Sequence, residues 1–545
     1  MRQGFSLFIL TCFCVGLLSG FSSQLELGGD QAAQDIFDTY FPKRPGLGYR
    51  WVSGADHTYG LYYGRGTSGD DLVLGRIPLL LIVNFWNPVA AGDRTTLEAV
   101  LRGEITHWDA LGGEDHPIEV LTYSQAGLPV LPGMDRPGVR RVTSQEGMVA
   151  AVSATPGAIG IITWPVVNPR IKVLTIDGVN PAWSLDSVAL ASYPFWTELV
   201  LTLPPTTGAY NWLRGRSWRE RRFRRELQES FGPAKDLGGK PAFTLAAVGD
   251  VMLSRKVAAT SIAHGDFCYP FLNVVSILRQ ATLAFANLES PLSDQGRQLN
   301  MFRADPRFLE GLDYAGIDLV SLANNHIMDY GTVAFLDTME RLTGQGVAYV
   351  GAGTDLTKAR RGRLLNLGGL RVGFLAYTEV GPGFTYTRVP QHWAATDELP
   401  GVAPARVDYL REDLARLQQL ADLVIVSFHW GQEYVHLPTT KQQRLGEAAL
   451  AAGADLVIGH HPHVIQGLAF GEKGIIAYSL GNFIFDQTPA ATRQGLILEA
   501  ACDYRGVRQL RCTPVTIKDE QPRVAEGDEA RRLMRLLYTV SQDLE

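Results

Sequence analysis

Residues 243–255, FTLAAVGDVMLSR, decide how the chain is read. An apolar run from Phe243 to Val248 meets Gly249 and Asp250, which is a buried strand ending on a carboxylate. In an α/β layer ligands collect at the carboxyl end of such strands. Taken alone, Asp250 is an ordinary strand-end turn residue, but the pattern repeats down the chain. TLAFANLESPL (282–292) ends on Asn287 and Glu289, and IDLVSLANNHIMDYG (317–331) ends on Asn324, Asn325 and His326. ADLVIVSFHWGQEY (421–434) ends on His429, and ADLVIGHHPHVIQG (454–467) ends on His460, His461 and His463. Five of the chain's 11 histidines fall in these motifs, so strands sharing a sheet would gather carboxylate, amide and imidazole at one edge. That mixture suits Mn, Fe or Zn better than Ca, with one or two ions. Each motif has a plainer reading: Asn324 and Asn325 as caps for a helix starting near Gly331, His429 as a hydrogen-bonded core imidazole.

Outward from these motifs, the chain has 545 residues, 46% hydrophobic and 19% charged, which excludes a disordered or coiled-coil protein and leaves room for more than one domain. A net charge of −6 argues against a nucleic-acid binder. Residues 1–23, with Arg2 before an apolar run from Phe5 to Leu18, have the layout of a secretory signal and predict an exported protein of the cell envelope or membrane surface, with cleavage or anchoring left open. GPAKDLGGKP (232–241) breaks the periodic pattern and reads as a linker, giving domains at 24–231 and 242–545. Just before it, arginines between 214 and 225 crowd a segment with Trp212, Trp218 and Phe223; this is either a membrane-surface contact or a solvated helix face with its aromatics packed inward. Cys502 and Cys512 flank a hairpin turning at 504–506 and either pair across it or stand as separate strand cysteines.

The five motifs, together with IAYSLGNFIFD (476–486), resemble the CapA family associated with poly-γ-glutamate capsule synthesis, which in turn resembles the calcineurin-like metallophosphoesterases. The resemblance covers roughly 243–517 and implies a calcineurin-like α/β sandwich around a divalent metal site. Carried over by position, it implies Asp250, Glu289, Asn325, His429, His461 and His463 as metal ligands, and His326, oriented by Asp329, as general acid. Asn324, His460, Glu433 and Asn482 are expected to face substrate. Two positions depart from the wider superfamily: Met252 replaces a ligand histidine, and Glu289 replaces the shorter bridging aspartate, which leaves one metal position short of a ligand.

In the first half, IPLLLIVNFWNPV (77–89), TTLEAVLRGEITHWDALGG (95–113), PGAIGIITWPVV (156–167), IKVLTIDGVNP (171–181) and YPFW (193–196) resemble, in order, the phosphate-binding-protein-like branch of the type 2 periplasmic solute-binding fold. The first lobe is short for that fold, so the domain is either a solute receptor, with Thr67, Ser68 and Gly69, or Ser124, as ligand contacts, or a degenerate, structural or partner-binding domain. The combined expectation is an exported metal-dependent hydrolase, either phosphoesterase-like or acting on γ-glutamyl amide bonds, in the synthesis, release or anchoring of an anionic surface polymer. Its substrate is that polymer or a small phosphorylated or γ-glutamyl compound. The alternative is a non-catalytic protein that captures a small anion or polymer end, with a structural metal.

Overall fold

A computed structural model describes residues 24–29, 31–41, 48–51, 59–63, 71–124, 128–185, 190–202, 223, 225–227, 229, 231, 237, 240–381 and 393–544. The signal-like segment, most of the arginine-rich segment and most of the 232–241 stretch lie outside these residues, as do Thr67, Ser68 and Gly69. The chain divides into two units, the second made of Lys240–Glu545 with two short stretches of the first half, Asn168–Lys172 and Ala182–Asp186. Among the described residues no helix is long and apolar enough to cross a membrane.

The first unit is α/β. One five-stranded sheet runs in the order Gly48–Trp51, Gln24–Gly28, Tyr59–Tyr63, Trp196–Thr202, Leu72–Pro78, and a second sheet sets Leu80–Asn84, Ala158–Ile162, Glu119–Tyr123 and Arg140–Val142 side by side in that order. Helices at Arg94–Arg102 and Gln145–Ala154 start on Asp93 and Ser144, whose side chains accept from Thr96 and Gly147 N–H. Most of the buried polar groups described here are tied to the fold, Thr122 Oγ1 being an exception. Asn84 donates to the Val152 and Ser153 carbonyls, and Gln145 accepts from the Thr163 N–H at 2.7 Å and hydroxyl at 2.9 Å. Ser124 donates to the Val142 carbonyl across its own sheet. Phe223 is fully buried, edge-on to Phe41, as the inward-packed reading of the arginine-rich segment requires of that ring.

The second unit has two large sheets flanked by helices, besides an unnumbered two-stranded ribbon of Ala352–Gly353 and Gly401–Val402. Its strands are β1 (Phe243–Val251), β2 (Leu283–Leu288), β3 (Leu319–Ser321), β4 (Ala348–Val350), β5 (Arg363–Leu367), β6 (Leu370–Thr378), β7 (Leu423–His429), β8 (Leu456–His460), β9 (Leu468–Phe470), β10 (Ile475–Ala477), β11 (Asn482–Ile484), β12 (Gln494–Asp503), β13 (Gly506–Lys518) and β14 (Gln521–Val524). One sheet has the order β4-β3-β2-β1-β12-β13-β14, with β11 also pairing β1; the other has the order β5-β6-β7-β8-β10-β9. The central strands β1, β2, β7 and β8 are parallel to their inner neighbours and buried at every residue, which is why they read as continuous apolar runs rather than as alternation. Alternate residues part to the two faces. Ala246, Ala284, Ala286 and Val320 pack under helices α1 (Phe308–Ala315) and α2 (Gly331–Gln345), while Phe285 turns the other way and stacks on Phe374 of β6, joining the sheets. Leu375, Val424, Val426 and Val457 pack under α3 (Val407–Leu417) and α4 (Thr440–Ala451).

This packing leaves the carboxyl ends of β1, β2, β7 and β8 side by side. Asp250 is in register with Asn287 and with Asn482, and His429 with His460. A Cβ at Gly249 would overlap the Gly481 carbonyl oxygen, so only glycine there lets the β10–β11 connection close over Asp250, whose N–H donates to that carbonyl. The hairpin between β12 and β13 forms, and its register sets Cys502 opposite Val507 and Cys512 opposite Leu498, so the two stand as separate strand cysteines, both buried free thiols.

Candidate metal centre

Asp250 and Glu289 are both fully buried and differ in every other respect. Asp250 Oδ1 accepts from Asn287 Nδ2 at 2.9 Å, and Oδ2 from the His461 N–H at 3.2 Å. Nδ1 of His460 lies 3.4 Å from Oδ1, and Nδ1 of His463 lies 3.3 Å from Oδ2. Burial pushes the Asp250 pKa up, but the two imidazoles outweigh it and hold the carboxyl well below its usual range. Glu289 has no such support: neither of its oxygens meets a hydrogen-bond donor, and Oε1 lies 3.8 Å from Nε2 of both His429 and His463. Burial, reinforced by the charges of Asp250, Glu433 and Asp329, pushes its pKa well above the carboxylate range.

Three histidines face these carboxylates. His429 Nε2 lies 2.8 Å from Asn325 Oδ1 and 3.1 Å from His461 Nδ1. Burial, then the charge of His461, pushes His429 well below the imidazole range; burial, then His463, brings His461 down to about 3. Neutral imidazole is the form that binds a metal. His461 and His463 have φ of 96° and 57°, a left-handed backbone that costs on the order of 1–3 kcal/mol per residue and collects at functional sites. The ligand atoms of Glu289, His429 and His461 lie within 4.8 Å of one another, as do those of Asp250, Glu289 and His463, and those of Glu433, His461 and His463. A buried carboxylate without donors beside neutral imidazoles and an ionised aspartate is a donor set that a divalent cation fits.

His326 sits beside this cluster. Its Nδ1 is 2.8 Å from Asp329 Oδ2, its ring packs 4.2 Å from that of Phe302, and its N–H donates to Asn324 Oδ1. Burial raises the Asp329 pKa against the pull of His326. Asp329 Oδ2 also accepts from the Phe302 N–H, which fixes the carboxylate that orients the imidazole.

The four residues expected to face substrate are placed differently from one another. Asn324 uses both ends of its amide on the chain, donating to Asn287 Oδ1 and the Leu288 carbonyl and accepting from the His326 and Ile327 N–H groups. Asn482 donates to Gln487 Oε1 and the Thr492 carbonyl, with its oxygen 2.9 Å from His463 Nδ1. His460 is fully buried against Asp250 and the Phe285 ring. These three position ligands. Glu433 alone is not buried. Met252 is turned into the core, where its sulfur accepts from the Ser254 N–H.

Two residues of the site have no role assigned from the sequence, although Asn287 ends the second strand motif. Asn287 is its hub, donating to Asp250 Oδ1, 3.3 Å from His429 Nδ1, and accepting from Asn324. Arg255, with φ 49°, forks onto Asp486 and lies 4.7 Å over the Phe302 ring; its charge lowers the Glu289 pKa against the larger effects of burial and neighbouring carboxylates. An Asn after an apolar run and an Arg at a helix start are too common to single out.

Residues 244–487 match the family described as "Bacterial capsule synthesis protein PGA_cap". The capsule biosynthesis protein CapA of Bacillus anthracis is 31% identical over 307 residues, covering 54% of this chain and 72% of that protein. The PGA biosynthesis protein CapA of Bacillus subtilis (strain 168) is 30% identical over 296 residues, covering 52% of this chain and 74% of that one. Among solved structures, an ABC-type phosphate transport receptor from Vibrio cholerae is 18% identical, with a TM-score of 0.28 over 39% of this chain and the whole of that one. Identity at this level over nearly three quarters of two CapA proteins establishes that the chain belongs to the CapA family of bacterial capsule synthesis proteins.

Proposed function

We propose that this protein is an exported, metal-dependent hydrolase acting in the synthesis, release or anchoring of an anionic surface polymer such as poly-γ-glutamate. The family supports the polymer, since its relatives are named for capsule and PGA biosynthesis. One observation carries the chemistry: the two donor-less buried oxygens of Glu289, set among Asp250, His429, His461 and His463. A carboxylate so placed is costly until a cation meets it.

Asp250, Glu289, Asn325, His429, His461 and His463 would hold the ion, one or two of Mn, Fe or Zn. When bound, it supplies Lewis-acid polarisation of a phosphoryl or carbonyl oxygen. The protein's own part is positional. Asn287 and Asn324 fix Asp250 and the Asn325–His326 turn, and burial of nearly every ligand excludes bulk water. Asp329 occupies Nδ1 of His326, so Nε2 is the atom that delivers a proton to the leaving oxygen of a phosphoester or nitrogen of a γ-glutamyl amide.

The test is metal content together with turnover on a phosphodiester and on a γ-glutamyl peptide. His326→Ala is expected to keep the metal and lower turnover by about 10² to 10⁴. If the wild type binds metal and turns over neither substrate, the protein is a binding protein with a structural metal.

A further inference from the structure

Met252 leaves the Asp250–Glu289–His463 position with three ligands, because its sulfur is buried and already accepts the Ser254 N–H. The loop after β7 carries a carboxylate toward the same place. That loop is tied to the one after β8 by five hydrogen bonds. Trp430 N–H donates to the His460 carbonyl at 3.0 Å and Tyr434 N–H to Pro462 at 2.8 Å; His436 Nδ1 donates to Ile465 at 2.8 Å; Gln466 Nε2 donates to Val435 at 2.8 Å and Leu437 at 3.3 Å. The bond from Tyr434 falls on the residue between His461 and His463, and its result is that a Glu433 oxygen lies within 4.8 Å of ligand nitrogens of both. Tyr434 holds a φ of 65° in making that turn.

Resting on the metal site proposed above, we propose that Glu433 is itself a cation ligand, supplying with His463 the contact that Met252 does not, so that the site holds two cations. A carboxylate from the open side replaces an imidazole from the buried side. The second position thereby becomes richer in oxygen than the Glu289–His429–His461 position, and the ion in it exchanges with solvent more readily.

The experiment titrates the full chain, stripped by chelator, with Mn²⁺, reading bound ions by mass spectrometry and the spin coupling of a two-ion site by electron paramagnetic resonance. The wild type is expected to bind two ions with a coupled signal. Glu433→Ala is expected to keep one, weakening the second by at least the roughly 10- to 100-fold that loss of an outer contact costs, and to give an uncoupled signal. Glu433→His, which restores a donor without the charge, is expected to recover the pair. Two ions held equally by wild type and Glu433→Ala would overturn the assignment and leave the metal site standing. So would one ion in the wild type, or loss of both ions in Glu433→Ala with an unchanged circular-dichroism spectrum. No ion in the wild type would overturn the metal site itself.

Discussion

Both units bury polar side chains, and they use them in opposite ways. In the first unit Asn84 and Gln145 meet backbone groups of neighbouring strands and helices, and each closes a gap in the fold. In the second, Asn287, Asn324 and Asn482 tie Asp250, the strand ends and His463 to one another, while Glu289 in the same cluster is left without a donor. A buried hydrogen bond to the backbone adds about 1 kcal/mol of stability, whereas a buried carboxylate with no donor subtracts more than that. The difference teaches where to look for chemistry: not at buried polarity as such, but at buried polarity the chain leaves unsatisfied.

The sharpest way to break this contrast is to remove the histidines around Glu289. His461→Ala with His463→Ala is expected to lower cation affinity at least about 100-fold, and unchanged metal content after dialysis would refute the site. Next in size, Glu289→Gln is expected to stabilise the cation-free protein by about 3 kcal/mol in denaturant unfolding while abolishing its stabilisation by Mn²⁺; a destabilised cation-free variant would show that Glu289 serves the fold.

Asp455 supplies a control outside the centre, a part-buried carboxylate that does have a partner, the Val424 N–H at 2.7 Å. Burial nonetheless pushes its pKa up to about 6 from 3.8. Between those values the folded state keeps a proton that the unfolded chain has released, so its contribution to stability falls as pH rises from about 4 to about 6. Asp455→Asn is expected to flatten that limb and add about 2 kcal/mol at pH 7; an unaltered pH–stability curve would contradict it. Smallest, Gln145→Ala in the first unit is expected to cost about 1 to 2 kcal/mol by stranding the Thr163 donors, with metal content unchanged.

Much of the centre was legible because β1, β2, β7 and β8 are continuous apolar runs, and a polar residue at the end of such a run has few reasons to be there. Asp250, Glu289, Asn325, His429, His461 and His463 all stand out on that ground and all converge. What sequence could not separate was a residue that meets a ligand from one that holds it. Asn324, Asn482 and His460 lie in the same motifs as the rest, yet their role is set by partners 19 to 210 residues away in the chain. The sequence leaves Cys502 and Cys512 open between a pair and two separate strand cysteines, and the register decides for the second: Cys502 faces Val507 and Cys512 faces Leu498.

The five hydrogen bonds between the loops after β7 and β8 bear on time rather than on affinity. They tie the loop that carries Glu433 to the loop that carries His461 and His463, so the two backbones part together rather than singly. On the metal site proposed above, an ion held among Glu289, His429 and His461 would then be released on dilution more slowly than one on an exposed site, because its release would wait on that joint opening.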